Sequence, residues 1–514
     1  MSASGTAVPA TRGTAARSGV AATARGGWWG FLGSTVNAVF GYLLVALVSR
    51  SLGAHGSGAV FTGVAVFTIL INACKLGADT GLVRFVSRDV ATSGGRQVGA
   101  LLRTAVVPGA AASTVAAAAL FLSPSTATAL LPNLASDDAV TLVRLFALFL
   151  PLATVTLILL AATQGYGTVV PFIGVEQIVK PVLRVLLAVP VALLAPGVLG
   201  LSAAWLLPTV VGAFVAWLAL RRCRRTSRGA SSGAEAALAR RSFWSFAAPR
   251  AISSVFDISA AWLGVVMLSG LATSEEAGIY TAVGRIVVAA TMLQLAIRLA
   301  VAPEISRLLA LEDGRQACQL HRIATRWSVL LSWPLLVLLV SFPDTVLSLF
   351  GREFEQGAGA LVVLCVASAV NVGVGSAQTV LLMAGKSSWH LAVTGAAFAV
   401  QVTVGLLTVP RWGVMGAALS WGAAIVFENL VSAALVRRHP GFTIVDDGYL
   451  AATAAGLCLT GALVLPVRLM AGDTAAGLAV GIVLGMSVFS ISLWRFRTPL
   501  GMSDLVGVLR QRAT

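Results

Sequence analysis

The chain has 514 residues, of which 57% are hydrophobic and only 11% charged, and its mean hydropathy is +0.90. A soluble globular domain carries about a quarter charged residues, so that class is excluded. The net charge of +16 would suggest nucleic acid in a soluble protein, but here most of it sits between apolar runs, and no nucleic-acid partner is expected.

Residues 1–27 are rich in Ala, Gly, Ser, Thr and Arg and lack an apolar core. They are expected to form a disordered tail rather than a signal peptide. From residue 28 onward, apolar runs long enough to cross a bilayer core of about 30 Å recur. They predict fourteen crossings, near 28–50, 57–82, 97–122, 139–163, 168–194, 198–220, 243–270, 277–302, 322–343, 357–383, 387–409, 413–436, 448–469 and 474–494. The expected fold class is therefore an all-α integral membrane protein. Six spans make an N-lobe over 28–220, and the polar stretch RRCRRTSRGASSGAEAALARR over 221–241 reads as a basic linker. Six more make a C-lobe over 242–438, two extra spans occupy 439–494, and 495–514 forms a tail that can lie on the membrane as a short amphipathic helix.

Parts of the second lobe repeat the first. LGAHGSGAVFT (52–62) returns as LATSEEAGIYT (271–281), with Gly58 falling on Gly278. Gly165 falls on Gly385, and Gly197-Val198-x-Gly200-x4-Trp205 returns as Gly413-Val414-x-Gly416-x4-Trp421. Matches in one order at nearly one spacing indicate a tandem duplication. Units with an even number of spans enter the membrane the same way round, so the expected symmetry is a pseudo-twofold along the membrane normal with a cavity between lobes.

Charge sets the orientation. With the N-terminus inside, the cytoplasmic segments hold 25 of the 36 Lys and Arg, and the opposite side holds only Arg50, Arg352, Arg411 and Arg468. The positive-inside rule then places both termini in the cytoplasm of a multi-pass protein of the inner (plasma) membrane. The five cysteines show neither a disulfide framework nor metal-ligand spacing, and the four histidines fall in no ligand motif. There is no GxxxxGK[ST] phosphate loop and no GxSxG elbow, so neither an ATPase nor a serine hydrolase is expected, and no cofactor or metal is implied.

Several segments resemble a known family: SRSLGAHGSGAVFTGVAVFTILINACKLGADTGLVRFVSR (49–88), SGLATSEEAGIYTAVGRI (269–286), APEISRLLALEDG (302–314), LFGREFEQGAGAL (349–361), LLMAGKSS (381–388) and GVMGAALSWG (413–422). In this order they resemble the polysaccharide-biosynthesis flippases. These belong to the multidrug/oligosaccharidyl-lipid/polysaccharide exporter superfamily, with the multidrug-and-toxin extruders and the lipid II flippases. The resemblance covers roughly 28–494. It implies two six-helix bundles in a V-shaped alternating-access carrier, not an enzyme, with the two extra helices accommodating a polyprenyl tail. The implied partners are a lipid-linked anionic glycan, the bilayer, and the glycosyltransferases or polymerase of the same pathway.

Ionisable groups within spans cost about 2.5–3.5 kcal/mol on insertion scales and so face a partner or a pathway. Glu176, Lys180 and Arg184 stand at i, i+4 and i+8 on one helical face, and Lys75 and Asp79 make an i, i+4 pair. Lys180, Arg184, Arg250, Arg285 and Arg298 are the candidates for a cationic cavity that takes a diphosphate head, because guanidinium forks suit its oxygens. Asp257 and Glu428 are the candidates for ion coupling. Neutral amides such as Gln378 and Gln401 could hydrogen-bond sugars but more often bridge helices, and none is assigned to the site.

The expected function is translocation of a polyprenyl-diphosphate oligosaccharide or polysaccharide precursor from the inner to the outer leaflet for cell-surface glycan assembly. An ion-coupled multidrug antiporter of the same superfamily is the alternative. A glycan polymerase or ligase is more distant, since no external loop is long enough for a catalytic domain, and an inactive scaffold remains open.

Overall fold

Inside a bilayer no water pairs with the backbone, so each segment must satisfy its own peptide groups, and helices do so. The computed structural model describes residues 11–132, 134–224, 233–310, 314–375, 377–383, 387–437 and 446–495. These residues form helices joined by short turns, with no strand among them. The first helix starts at Thr11, inside the stretch whose composition suggests disorder. Ala and Arg, frequent there, are good helix formers. Residues 1–10, 225–232 and 496–514, which include parts of the expected tails and linker, lie outside the described residues.

Among the described residues, ten helices are long and apolar enough to cross a membrane, and two shorter apolar ones, Gly461–Ala471 and Ala475–Ser487, follow. Two of the ten, Leu32–Cys74 and Ser388–Arg437, run for 43 and 50 residues. A single crossing needs about 20. Both are bent, at Gly53 (φ 69°) and at Gly413 (φ 47°), where only glycine is unstrained. Each bend meets a carboxylate from elsewhere in the chain. Ala54 N–H donates to Glu353 Oε1 at 2.6 Å, and the Glu276 carboxylate occupies the space beside Gly413. The stretch expected to span 357–383 is broken instead: Ala358–Val374 ends at Gly375 (φ 72°), and Ala377–Met383 follows.

The first bent helix lies across the second half of the chain, packed mainly on Ser274–Ala310 and then on Gly233–Leu271. The closest approach joins Gly58 to Gly278 and is reciprocal. A Cβ on Gly58 would meet the carbonyl of Ser274, four residues before Gly278, and a Cβ on Gly278 would meet that of Ala54, four before Gly58. Small residues at such a crossing let two backbones touch, which drives helix association where lipid removes the hydrophobic term. Around it, Val45, Val48 and Phe61 from the first half share a core with Ile279, Val283 and Phe354 from the second. Arg50 Nε also donates to the Leu349 carbonyl at 2.7 Å.

The halves touch again on other helices, at the start of Ala78–Ser93 against Gly233–Leu271. Gly77 and Gly81 face Ala247 and Phe243, and the Arg84 guanidinium lies 4.3 Å from the centre of the Phe246 ring. The halves therefore meet at two separate places.

The last helices lean on Gly314–Ser341. Asp446 pins one end: Arg326 grips both its carboxylate oxygens, and the Tyr449 N–H donates to it at 2.9 Å. Asp473 pins the other by accepting from the N–H groups of Asp344 and Thr345, each at 3.0 Å, which caps the short helix Pro343–Leu347.

Candidate functional site

Pro181 has no N–H to give to its helix, and the turn before it, Ile173–Val179, is widened to a π-type coil. That coil presents Glu176 and Lys180 side by side. Lys180 Nζ bonds Glu176 Oε1 at 2.5 Å and is only 4% exposed, so this ammonium is already neutralised inside the first half. Lys75 and Asp79 pair likewise at 2.7 Å.

Arg184, one turn beyond Lys180, points elsewhere. Its Nε donates to the Trp205 carbonyl at 3.0 Å, and its guanidinium stacks 3.8 Å from the centre of the Trp205 ring. The indole is held in turn edge-on by Phe67 and tilted against Phe146. Across the interface, the Arg285 guanidinium lies 5.6 Å from the Trp262 ring. Both arginines are partly buried, and Arg285 is among the charges that act on Arg184. Among the described residues neither guanidinium makes an ion pair. Each guanidinium thus lies against an indole rather than a carboxylate.

The remaining candidates are not part of that cluster. Arg250, Asp257, Arg298 and Glu428 line a separate cavity of about 400 Å³ within the second half, together with Gln378, His390, Thr394, Phe398, Gln401 and Trp421. Two arginines face two carboxylates, so this cavity is balanced rather than cationic. Thr394 Oγ1 donates to Glu428 Oε1 at 3.1 Å, and Gln401 Nε2 donates to the Ala260 carbonyl at 2.8 Å. A second void, about 20 Å³ and lined by apolar side chains such as Phe67, Leu131 and Phe146, is too small and too dry to be a site.

Sequence reasoning assigned none of His390, Thr394, Gln378 and Gln401 to a site, taking the two amides as helix bridges, and gave the tryptophans under the two arginines no role. A signal was present: 390, 394, 397, 398 and 401 fall on one face of a helix, as do 421, 424, 425 and 428. Among the described residues no group of three His, Cys, Asp or Glu stands ready to hold a metal.

Residues 23–309 match the polysaccharide biosynthesis protein family. A comparison with curated protein sequences gives no match. Among solved structures, the lipid II flippase MurJ in an inward closed conformation superposes with a TM-score of 0.73 at 12% identity, over 92% of this chain and 99% of that one. An inward-facing multidrug resistance MATE family transporter gives 0.62 at 15% identity, over 77% and 93%. A mutant of the Vibrio cholerae MATE transporter VcmN gives 0.54 at 17%, over 84% and 100%. At these identities the likeness is one of fold. With more than half its length matched, the chain belongs to the polysaccharide biosynthesis protein family and is a multi-pass membrane protein with the transporter fold of the multidrug/oligosaccharidyl-lipid/polysaccharide superfamily.

Proposed function

We propose that this protein is an alternating-access flippase that carries a polyprenyl-diphosphate oligosaccharide or polysaccharide precursor from the inner to the outer leaflet for cell-surface glycan assembly. One observation carries the reading. Arg184 and Arg285 come from opposite halves, each lies against an indole, and neither makes an ion pair among the described residues. A diphosphate between them would receive charge-assisted donors from both halves and tie their movement to its own presence. Lys180, held by Glu176, supports the same face rather than binding directly.

The family and the fold support the reading. So does a count of fourteen crossings, which follows if each bent helix crosses twice and the two shorter helices once. The reciprocal contact of Gly58 with Gly278 supports two six-helix lobes related by a pseudo-twofold, because that axis would pass between two such glycines. In the orientation favoured by the basic segments, both termini are cytoplasmic and the Gly58 contact closes the outer side. The head would bind from the inside while the tail stays in lipid, and the lobes would rock until this contact opens. An inside-negative potential assists an outward-moving anion by about 2.3 kcal/mol per charge per 100 mV.

A cation-coupled multidrug antiporter is the other reading, and Asp257 with Glu428 is the observation on its side. Arg250 and Arg298 in the same cavity offset those charges. If an ion gradient drives transport, these carboxylates are where it acts. The test is reconstitution with fluorescent polyprenyl-diphosphate sugars and a measurement of leaflet accessibility. Arg184→Ala and Arg285→Ala are each expected to slow translocation about tenfold or more while leaving the protein folded. Unimpaired transport by both variants would remove the proposed site.

A further inference from the structure

The second span breaks where the two halves meet. The stretch 57–82 reads as a single crossing, yet the helix stops at Cys74 and resumes at Ala78. In the turn between them, Leu76 (φ 54°) and Gly77 (φ 70°) are both left-handed. Gly77 takes that conformation freely. Leu76 does not, and among the described residues it is the one residue other than glycine with a positive φ.

The bend is not what the local sequence favours. Leucine is a good helix former and would keep an ordinary φ in a straight helix. Lys75 and Asp79, paired at 2.7 Å across the turn, stand at i and i+4, a spacing that a straight helix also joins. What lies against the turn is the second half. A Cβ on Gly77 would fall 2.2 Å from the Ala247 carbonyl oxygen and 2.9 Å from the Ala251 nitrogen, and Gly81, one turn on, meets the Phe243 ring. Ala78 and Leu82 are buried with Phe243 and Ala247 in a single core. A residue held in a sparsely populated conformation persists only where its surroundings over-determine it, and such places cluster at switches.

We infer that Lys75–Gly77 is a strained hinge, kept bent by the second half and straightening when the halves part there, which rests on the alternating-access reading above. In the orientation proposed there, the second span runs inward from the bend at Gly53, so Gly77 lies on the inner side of the Gly58 contact. A head group arriving from inside needs this inner contact to open. Closing it bends the span and strains Leu76, so the fold carries a push towards the inward-open form. The Lys75–Asp79 pair is kept in both forms and does not oppose the release.

The test uses the full-length protein in nanodiscs with its native cysteines replaced and spin labels at Arg88→Cys and Arg240→Cys. Both positions are exposed and belong to the two helices that meet at this contact. Distances between the labels are read by double electron–electron resonance. Leu76→Gly relieves the left-handed φ, whereas Leu76→Ala removes the same side chain but keeps the strain. The ratio of short to long distances should therefore be about fivefold or more higher in Leu76→Gly than in Leu76→Ala. Gly77→Ala, which drives a methyl into the Ala247 carbonyl, should lower that ratio. Gly81→Ala, whose Cβ meets the Phe243 ring at 2.8 Å, serves if Gly77→Ala does not fold. Where the unaltered protein shows only the short distance, the two Leu76 variants are compared on the background of that glycine substitution. Equal ratios for Leu76→Gly and Leu76→Ala overturn the inference, as does a folded glycine variant that favours the short distance. A single short distance in every folded variant would strike instead the alternating-access reading beneath it.

Discussion

Replacing Gly58 by Ala probes the contact that joins the two halves. A Cβ built there falls 1.5 Å from the Ser274 carbonyl oxygen, where ordinary contact begins at 3.4 Å, so the helices must part by about 2 Å. Neither partner is a flexible side chain, because both are helix backbone, Ser274 being the first residue of its helix. Overpacking of this kind costs about 1–3 kcal/mol, enough to shift a two-state equilibrium about 5–150-fold towards the state in which this end is open. Gly278→Ala meets the Ala54 carbonyl at 2.3 Å and should have the smaller effect, and Gly41→Ala, with nothing within 4 Å, should have none. The assay is alkylation of a single Thr281→Cys reporter, one turn below the contact and 5% exposed, by a membrane-impermeant reagent after the native cysteines are replaced. Labelling should accelerate in the order Gly58→Ala, Gly278→Ala, Gly41→Ala. Equal rates in three folded variants would show that this contact does not hold the halves together.

Two further predictions concern the pins of the last helices. Burial raises the Asp446 carboxyl, but the hydrogen bonds from Arg326 and from Tyr449 N–H, with the charges of Arg326 and Arg322, outweigh it and hold the group below its usual range. Its contribution is therefore full above the ordinary carboxylate range and is lost on acidification through the lowered value. Asp446→Ala should lower stability by about 1–3 kcal/mol at neutral pH and by less in acid, read as the midpoint of thermal unfolding in detergent at each pH. Asp473 is likewise held low: burial raises it, but the hydrogen bonds from Thr345 and Asp344 prevail, while burial and Asp473 itself push Asp344 up. Asp473→Ala should remove the cap at Pro343 and cost about 0.5–2 kcal/mol, visible as faster proteolysis near 343–347, and Asp473→Asn should recover part of it.

Much of the architecture was legible because a bilayer leaves few choices. Long apolar runs become helices, and charges four residues apart, as in Lys75–Asp79 and Glu176–Lys180, find each other. What stayed hidden depends on the angle of each helix about its own axis, which span boundaries do not contain. Arg250 and Arg298 share a sign with Arg184 and Arg285 yet line a cavity that neither of those lines. The likeness of the segments around Gly58 and Gly278 was readable, but their mutual contact was not, since similarity between segments says nothing about whether they touch. Arg50, Ser51 and His55, and likewise Pro410 and Arg411, marked the interruptions near 53 and 413, but not that the helix carries on through a bend at Gly53 and at Gly413, and the break at Gly375 went unread.

The closing pair of helices is an outrigger rather than part of the hull. It leans on one neighbour, Gly314–Ser341, is moored at its ends by Asp446 and Asp473, and turns Leu465, Leu469, Met470, Val483 and Met486 outward. Acyl chains are as apolar as leucine, so the flank it covers would be equally at ease against lipid. The appendage thus lends the bundle little cohesion and chiefly alters its outline in the plane of the bilayer. An attachment of that sort is free to lengthen, shrink or be exchanged over evolutionary time while the machinery beside it stays as it is.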